Sequence, residues 1–131
     1  MKLIFLDVDG VLNNHPIFKK LADSHQHTTE ALDNECIARL KKIVDACQPS
    51  IVKIILSSSW RFSTEHIETL AFRLSLFGLQ IDDKTTLKGN HRGTQIKEWL
   101  EENKPRFTEK RKFVILDDDS DMLPEQMSHF V

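Results

Sequence analysis

Three short apolar runs constrain what this chain can fold into more than any other feature: residues 3–6 (LIFL), 51–56 (IVKIIL) and 113–116 (FVIL). Runs of this length and character suit strands covered on both faces, as in the middle of a parallel sheet. Each ends in a polar cluster: DVDG, SSSW and DDDSD respectively. Open α/β sheets collect their ligands at the carboxyl ends of strands, so all three clusters are expected on one side of the molecule. At the first, Gly10 lets the chain turn and leaves Asp7 and Asp9 at the strand's end. Two carboxylates this close are costly unless a cation or a shared proton holds them.

Between the runs the spacing turns helical. Ile37, Leu40, Val44 and Cys47 predict a helix over 33–47, capped by Asp33 and closed by Pro49. Ser63 or Thr64 can cap a second helix whose apolar face holds Ile67, Leu70, Ala71, Leu74 and Phe77, with Gly78 stopping it. A short third strand is expected to include Leu79 and Ile81. Thr94 then starts a helix with Ile96, Trp99 and Leu100 turned inward. Residues 13–30 are polar and irregular, and no repeat, low-complexity tract or interdomain linker interrupts the pattern. The alternation predicts an α/β, three-layer Rossmann-like fold: a central, mostly parallel sheet with helices on both faces.

With 131 residues, 40% hydrophobic and 29% charged, the chain reads as a single globular domain over 1–131 rather than a disordered one. A formal charge of −2 creates no field pulling it toward nucleic acid or anionic membrane. No apolar stretch approaches membrane-spanning length, and the short apolar run between Lys2 and Asp7 speaks against a secretory signal. Cys36 and Cys47 fall about 16 Å apart along one predicted helix, too far to bond. They read as reduced thiols, which suits a cytoplasmic protein. His15, His25 and His27 lack a further ligand at zinc-site spacing and read as a solvated loop; His91 and His129 carry no assignment.

From the residues alone, Asp7 is a candidate oxygen nucleophile or hard-metal ligand and Asp9 a candidate proton donor. Mg²⁺ favours carboxylate and phosphate oxygens and keeps several waters, so one or two aspartates plus a phosphate make a natural site. An isolated DxD or SSS also serves simply to turn a chain. DDDSD reads otherwise as a solvated acidic turn, but that leaves its place after a buried strand unexplained, where it would repel itself without a counter-ion.

The string DVDGVLN resembles the first motif, DxDGT/V-L, of the haloacid dehalogenase-like (HAD) superfamily. SSSWR and RGTQIKEWL resemble strings of the HAD domains in Swiss Army Knife RNA repair proteins, and VILDDDSD is similar to the superfamily's last motif. The resemblance implies Asp7 as nucleophile, Asp9 as general acid and base, and Ser57 with Ser58 binding phosphate. It implies a cation at or just before the helix that precedes the last motif. Arg92 is favoured, although the superfamily more often has lysine there, and Lys88 and Lys97 are alternatives. Mg²⁺ would be held by Asp7, Asp9, Asp117 and Asp118, with Asp121 the partner of Asp117 in the spaced form of the motif. Arg61 reads either as a two-pronged phosphate contact or as a structural ion-pair partner, and Trp60 as core.

An acid at position 9 favours a phosphatase or phosphotransferase, since the superfamily's dehalogenases lack one. The segments between motifs leave no room for a large cap, only for a small flap over 13–30. An open site suits a phosphate carried by a large molecule, and the repair branch points to polynucleotide ends. The basic cluster at 104–112 reads equally well as solvated surface. The apolar ending HFV reads as a strand cut short or one closing the sheet, which allows for a longer protein. The alternative from another class is a noncatalytic phospho-acceptor of receiver-like type, whose acceptor sits on a middle strand.

Overall fold

The computed structural model describes residues 1–13, 32–86, 91–103, 112–117 and 122–129. Its elements are β1 (Lys2–Leu6), α1 (Asn34–Ala46), β2 (Val52–Leu56), a 3₁₀ turn (Ser59–Phe62), α2 (Thr64–Ser75), β3 (Asp83–Lys84), α3 (Arg92–Glu102), β4 (Lys112–Leu116) and a second 3₁₀ turn (Pro124–His129). The four strands form one sheet in the order β3-β2-β1-β4, and every pairing is parallel. The fold is α/β, and no cap stands among the described residues.

Side chains alternate across a strand, and β1 divides the core accordingly. Leu3 and Phe5 face Ile96 and Trp99 of α3, together with Ile55 and Ile115. Ile4 and Leu6 face Ile37 and Leu40 of α1 and Leu70 and Leu74 of α2. Phe5 meets Trp99 and Phe113 edge-on, with centroids 5.5 and 5.8 Å apart, the geometry that aromatic quadrupoles favour. Two apolar layers therefore cover both faces of β1 and the carboxyl halves of β2 and β4, which is why their apolar runs do not alternate.

The predicted caps form. Asp33 accepts the N–H of Glu35 at 2.9 Å, and the Ser63 hydroxyl accepts that of His66 at 3.3 Å. Cys36 and Cys47 are both free thiols. No helix among the described residues is long and apolar enough to cross a membrane.

Three expectations are corrected. The third strand is Asp83–Lys84, not a segment holding Leu79 and Ile81. Leu79 and Ile81 instead pack into the layer beneath α1 and α2, so their apolar character reflects burial, while strand pairing is fixed by the two rungs Ile55–Asp83 and Leu56–Lys84. Helix α3 begins at Arg92, two residues before Thr94, with His91 at its cap; Lys97 consequently lies beyond the first turn. Ala71, expected on the inner face of α2, is exposed. Lys88, Asp118, Asp119, Asp121, the three loop histidines, nearly all of the 13–30 flap, residues 104–111 of the basic cluster and the terminal Phe130 and Val131 lie outside the described residues.

Candidate active site

Sheet register places the site. Leu6 pairs with both Leu56 and Leu116, so Asp7, Ser57 and Asp117 each follow the last paired residue of neighbouring strands. The ladder runs one step further: Asp7 N–H donates to the Leu116 carbonyl at 2.9 Å and Ser57 N–H to that of Leu6 at 2.8 Å. From β1 the chain builds outward to β2 and β3, then crosses to the opposite side for β4. Asp7 and Asp117 flank that reversal, the place where open sheets leave a crevice.

Arg92, the first residue of α3, reaches into this crevice. Its Nη1 lies 3.2 Å from Asp7 Oδ1 and 3.3 Å from Asp117 Oδ2, and also donates to the Ser57 carbonyl. Burial pushes the Asp7 carboxyl up to about 7; the charge of Asp117 adds to this, and Arg92 opposes both. Arg92 thus bridges the two carboxylates that neighbouring strands bring together. Paired carboxylates supply the hard oxygen donors that suit a small divalent cation. Among the described residues no third acid, histidine or cysteine completes a metal-holding group; Asp118 is outside them. Ser57 is 1% exposed and its hydroxyl has no hydrogen-bond partner among the described residues, an arrangement that is costly without a ligand to satisfy it.

Asp9 sits apart from this cluster, past the strand end and exposed. Its Oδ1 accepts two hydrogen bonds, from Trp60 Nε1 at 3.0 Å and Asn13 Nδ2 at 3.1 Å. Asn13 Oδ1 in turn accepts the Gly10 N–H at 2.8 Å. Gly10 has φ +84°, a conformation that favours glycine, and it bends the chain so that Asn13 can reach back.

A family model for the HAD domain in Swiss Army Knife RNA repair proteins matches residues 3–131. The chain belongs to that family. No curated protein and no solved structure gives a significant match.

In this HAD domain, the SSSWR segment divides its labour. Ser58 is fully buried; its Oγ accepts the Trp60 N–H at 3.2 Å and so caps the 3₁₀ turn. Arg61 donates to the Ser58 carbonyl at 2.6 Å and to Gln95 Oε1 at 2.7 Å. Its partners are therefore neutral oxygens that tie the turn to α3. Burial lowers its pKa, and the nearby Arg92 charge acts in the same direction. Lys97 is more than half exposed, with Nζ 3.9 Å from Glu125. Of the candidate cations within the described residues, Arg92 is the one that joins the carboxylates.

Four participants escaped sequence reasoning: Asn13, the indole N–H of Trp60, Gln95 and Gln126. Gln126 Nε2 donates to the Gly93 carbonyl at 2.8 Å while its Oε1 accepts the Leu123 N–H at 3.0 Å. This bond latches the segment after Asp117 onto the first turn of α3, beside Arg92. The approach is so close that a Cβ on Gly93 would lie 2.5 Å from the Leu123 nitrogen. The only sequence signal was RGxxIxxWL, in which Gly occupies a poor helix position.

Proposed function

We propose that this HAD domain is a Mg²⁺-dependent phosphomonoesterase acting on phosphorylated polynucleotide ends through an aspartyl-phosphate. The observation that carries this reading is the buried Ser57 hydroxyl, unpartnered among the described residues, in register with Asp7 and next to the Asp7–Arg92–Asp117 cluster. A phosphoryl oxygen would satisfy that hydroxyl while Arg92 offsets its charge.

An Asp7 carboxylate oxygen attacks phosphorus in line, and the bond to the leaving oxygen breaks. Asp9, held in orientation by Trp60 and Asn13, gives that oxygen a proton. A water then attacks phosphorus, breaks its bond to Asp7, and returns a proton to Asp9. Ser57 and Arg92 hold the phosphoryl oxygens throughout, and Ser58 keeps the turn that presents Ser57. Asp7 and Asp117, with Asp9 and Asp118 from the sequence motifs, would hold Mg²⁺. When bound, the cation neutralises phosphate charge and aligns the group for displacement. The family's description as RNA repair proteins supports the polynucleotide substrate.

The test is hydrolysis of a generic aryl phosphate with and without Mg²⁺. Asp7→Asn is expected to lose at least about 10³-fold in turnover and Asp9→Asn about 10²- to 10⁴-fold, both with unchanged circular dichroism. Equal turnover by wild type and both variants rejects the assignment.

A further inference from the structure

We propose that Phe62 is a stacking platform for the nucleobase next to the scissile phosphate; this rests on the polynucleotide reading above. Phe62 ends the 3₁₀ turn that follows Ser57 and Ser58, two residues after the tryptophan that contacts Asp9. The residue is 55% exposed. Single exposed apolar side chains are common on protein surfaces, so exposure alone says little. Three further observations separate this one.

First, the ring is backed by a fixed cation. The Arg61 guanidinium lies 4.6 Å from the Phe62 centroid and is itself pinned by the Ser58 carbonyl and Gln95. Second, the turn is closed at both ends. Trp60 N–H donates to Ser58 Oγ, Ser63 N–H donates to the Trp60 carbonyl at 3.3 Å, and Ser63 caps α2. A ring held on such a support loses little freedom when a ligand stacks on it.

Third, the chain's formal charge is −2. Charge-driven capture of a phosphate backbone requires many lysine and arginine contacts, which this net charge does not favour. A source of affinity besides charge would strengthen the hold on a polynucleotide end. Base–aromatic stacking supplies one, tolerates any base, and gains from a neighbouring arginine. Phe62 offers it on the turn that follows β2 and Ser57, beside Arg61. The predicted ligand is an unpaired terminal nucleotide bearing the phosphate.

The experiment compares two oligonucleotides that share one terminal phosphate, one with a base on the terminal nucleotide and one abasic there. The measured quantity is the ratio of their KM values for wild type, Phe62→Leu and Phe62→Trp. Wild type is expected to favour the base-bearing end by about 5- to 150-fold. Phe62→Leu, which keeps apolar bulk but no π face, is expected to erase that preference, and Phe62→Trp to keep it. A preference that survives in Phe62→Leu overturns the proposal, as does equal KM for both ends in wild type. If wild type hydrolyses neither oligonucleotide yet hydrolyses aryl phosphate, the polynucleotide reading itself falls and takes the platform with it.

Discussion

At the carboxyl end of the sheet the buried groups are polar; at the amino end the same strands line an apolar cleft. The first holds Asp7, Ser57, Ser58, Arg61 and Asp117, all at most 8% exposed. The second is a space of about 240 Å³ bounded by Ile43, Cys47, Phe113 and Val114, with Lys2 and Lys112 at its edge. The cleft is a gap between apolar walls that ask nothing of a ligand. Buried polar groups are costly unless paired, and strongly shifted acids gather where chemistry is done. Asp7 and the Ser57 hydroxyl therefore make the carboxyl end, rather than the cleft, the candidate site.

Substitutions at the two ends should separate accordingly. After Asp7 and Asp9 themselves, the largest effect is expected from Arg92→Met, which removes the cation between Asp7 and Asp117. Turnover should fall by about 10²- to 10³-fold, and the melting temperature should drop as the two carboxylates face each other unscreened. Adding Asp117→Asn should recover part of the lost stability but no turnover, as read by thermal denaturation alongside phosphate release.

Gly93→Ala tests the latch behind that cation. Its methyl group would collide with backbone at Leu123, and urea denaturation should register a loss of about 1–3 kcal/mol. A neutral result would mean that the 122–129 segment yields freely and does not hold Arg92. A smaller change is expected from Trp60→Phe, which keeps the ring and deletes one of the two donors to Asp9. About tenfold in kcat is the expected loss, roughly the value of one hydrogen bond to a carboxyl group, as read by steady-state hydrolysis of an aryl phosphate.

At the amino end, Cys47→Ser should leave kcat/KM unchanged and stability within about 0.5 kcal/mol. A loss of turnover beyond a few-fold there would break the separation between the two ends.

How much of this was legible in the sequence differs by element. The strands at 2–6, 52–56 and 112–116 were readable because burial on both faces leaves no choice of residue type. The caps at Asp33 and Ser63 were readable because capping is local. The third strand was missed because an edge pairing of two rungs leaves no hydrophobic pattern, and Leu79 and Ile81 are apolar for packing reasons instead. The start of α3 was misplaced because Thr94 offered a capping signal, whereas His91 at the actual cap makes no side-chain cap bond.

The sequence by itself determined the chemistry at each strand end: which residues could attack, donate protons, or carry charge, and in what order along the chain. That information is local, carried by residue type beside an apolar run. Only the tertiary structure decided which cation joins Asp7 to Asp117, that Arg61 braces a turn, and that Asn13 and Trp60 orient Asp9. Those outcomes depend on contacts between residues such as Asp9 and Trp60, or Gly93 and Gln126, that are far apart in the chain. A polar side chain's sequence does not name its partner; the sheet register and the packing of α3 do.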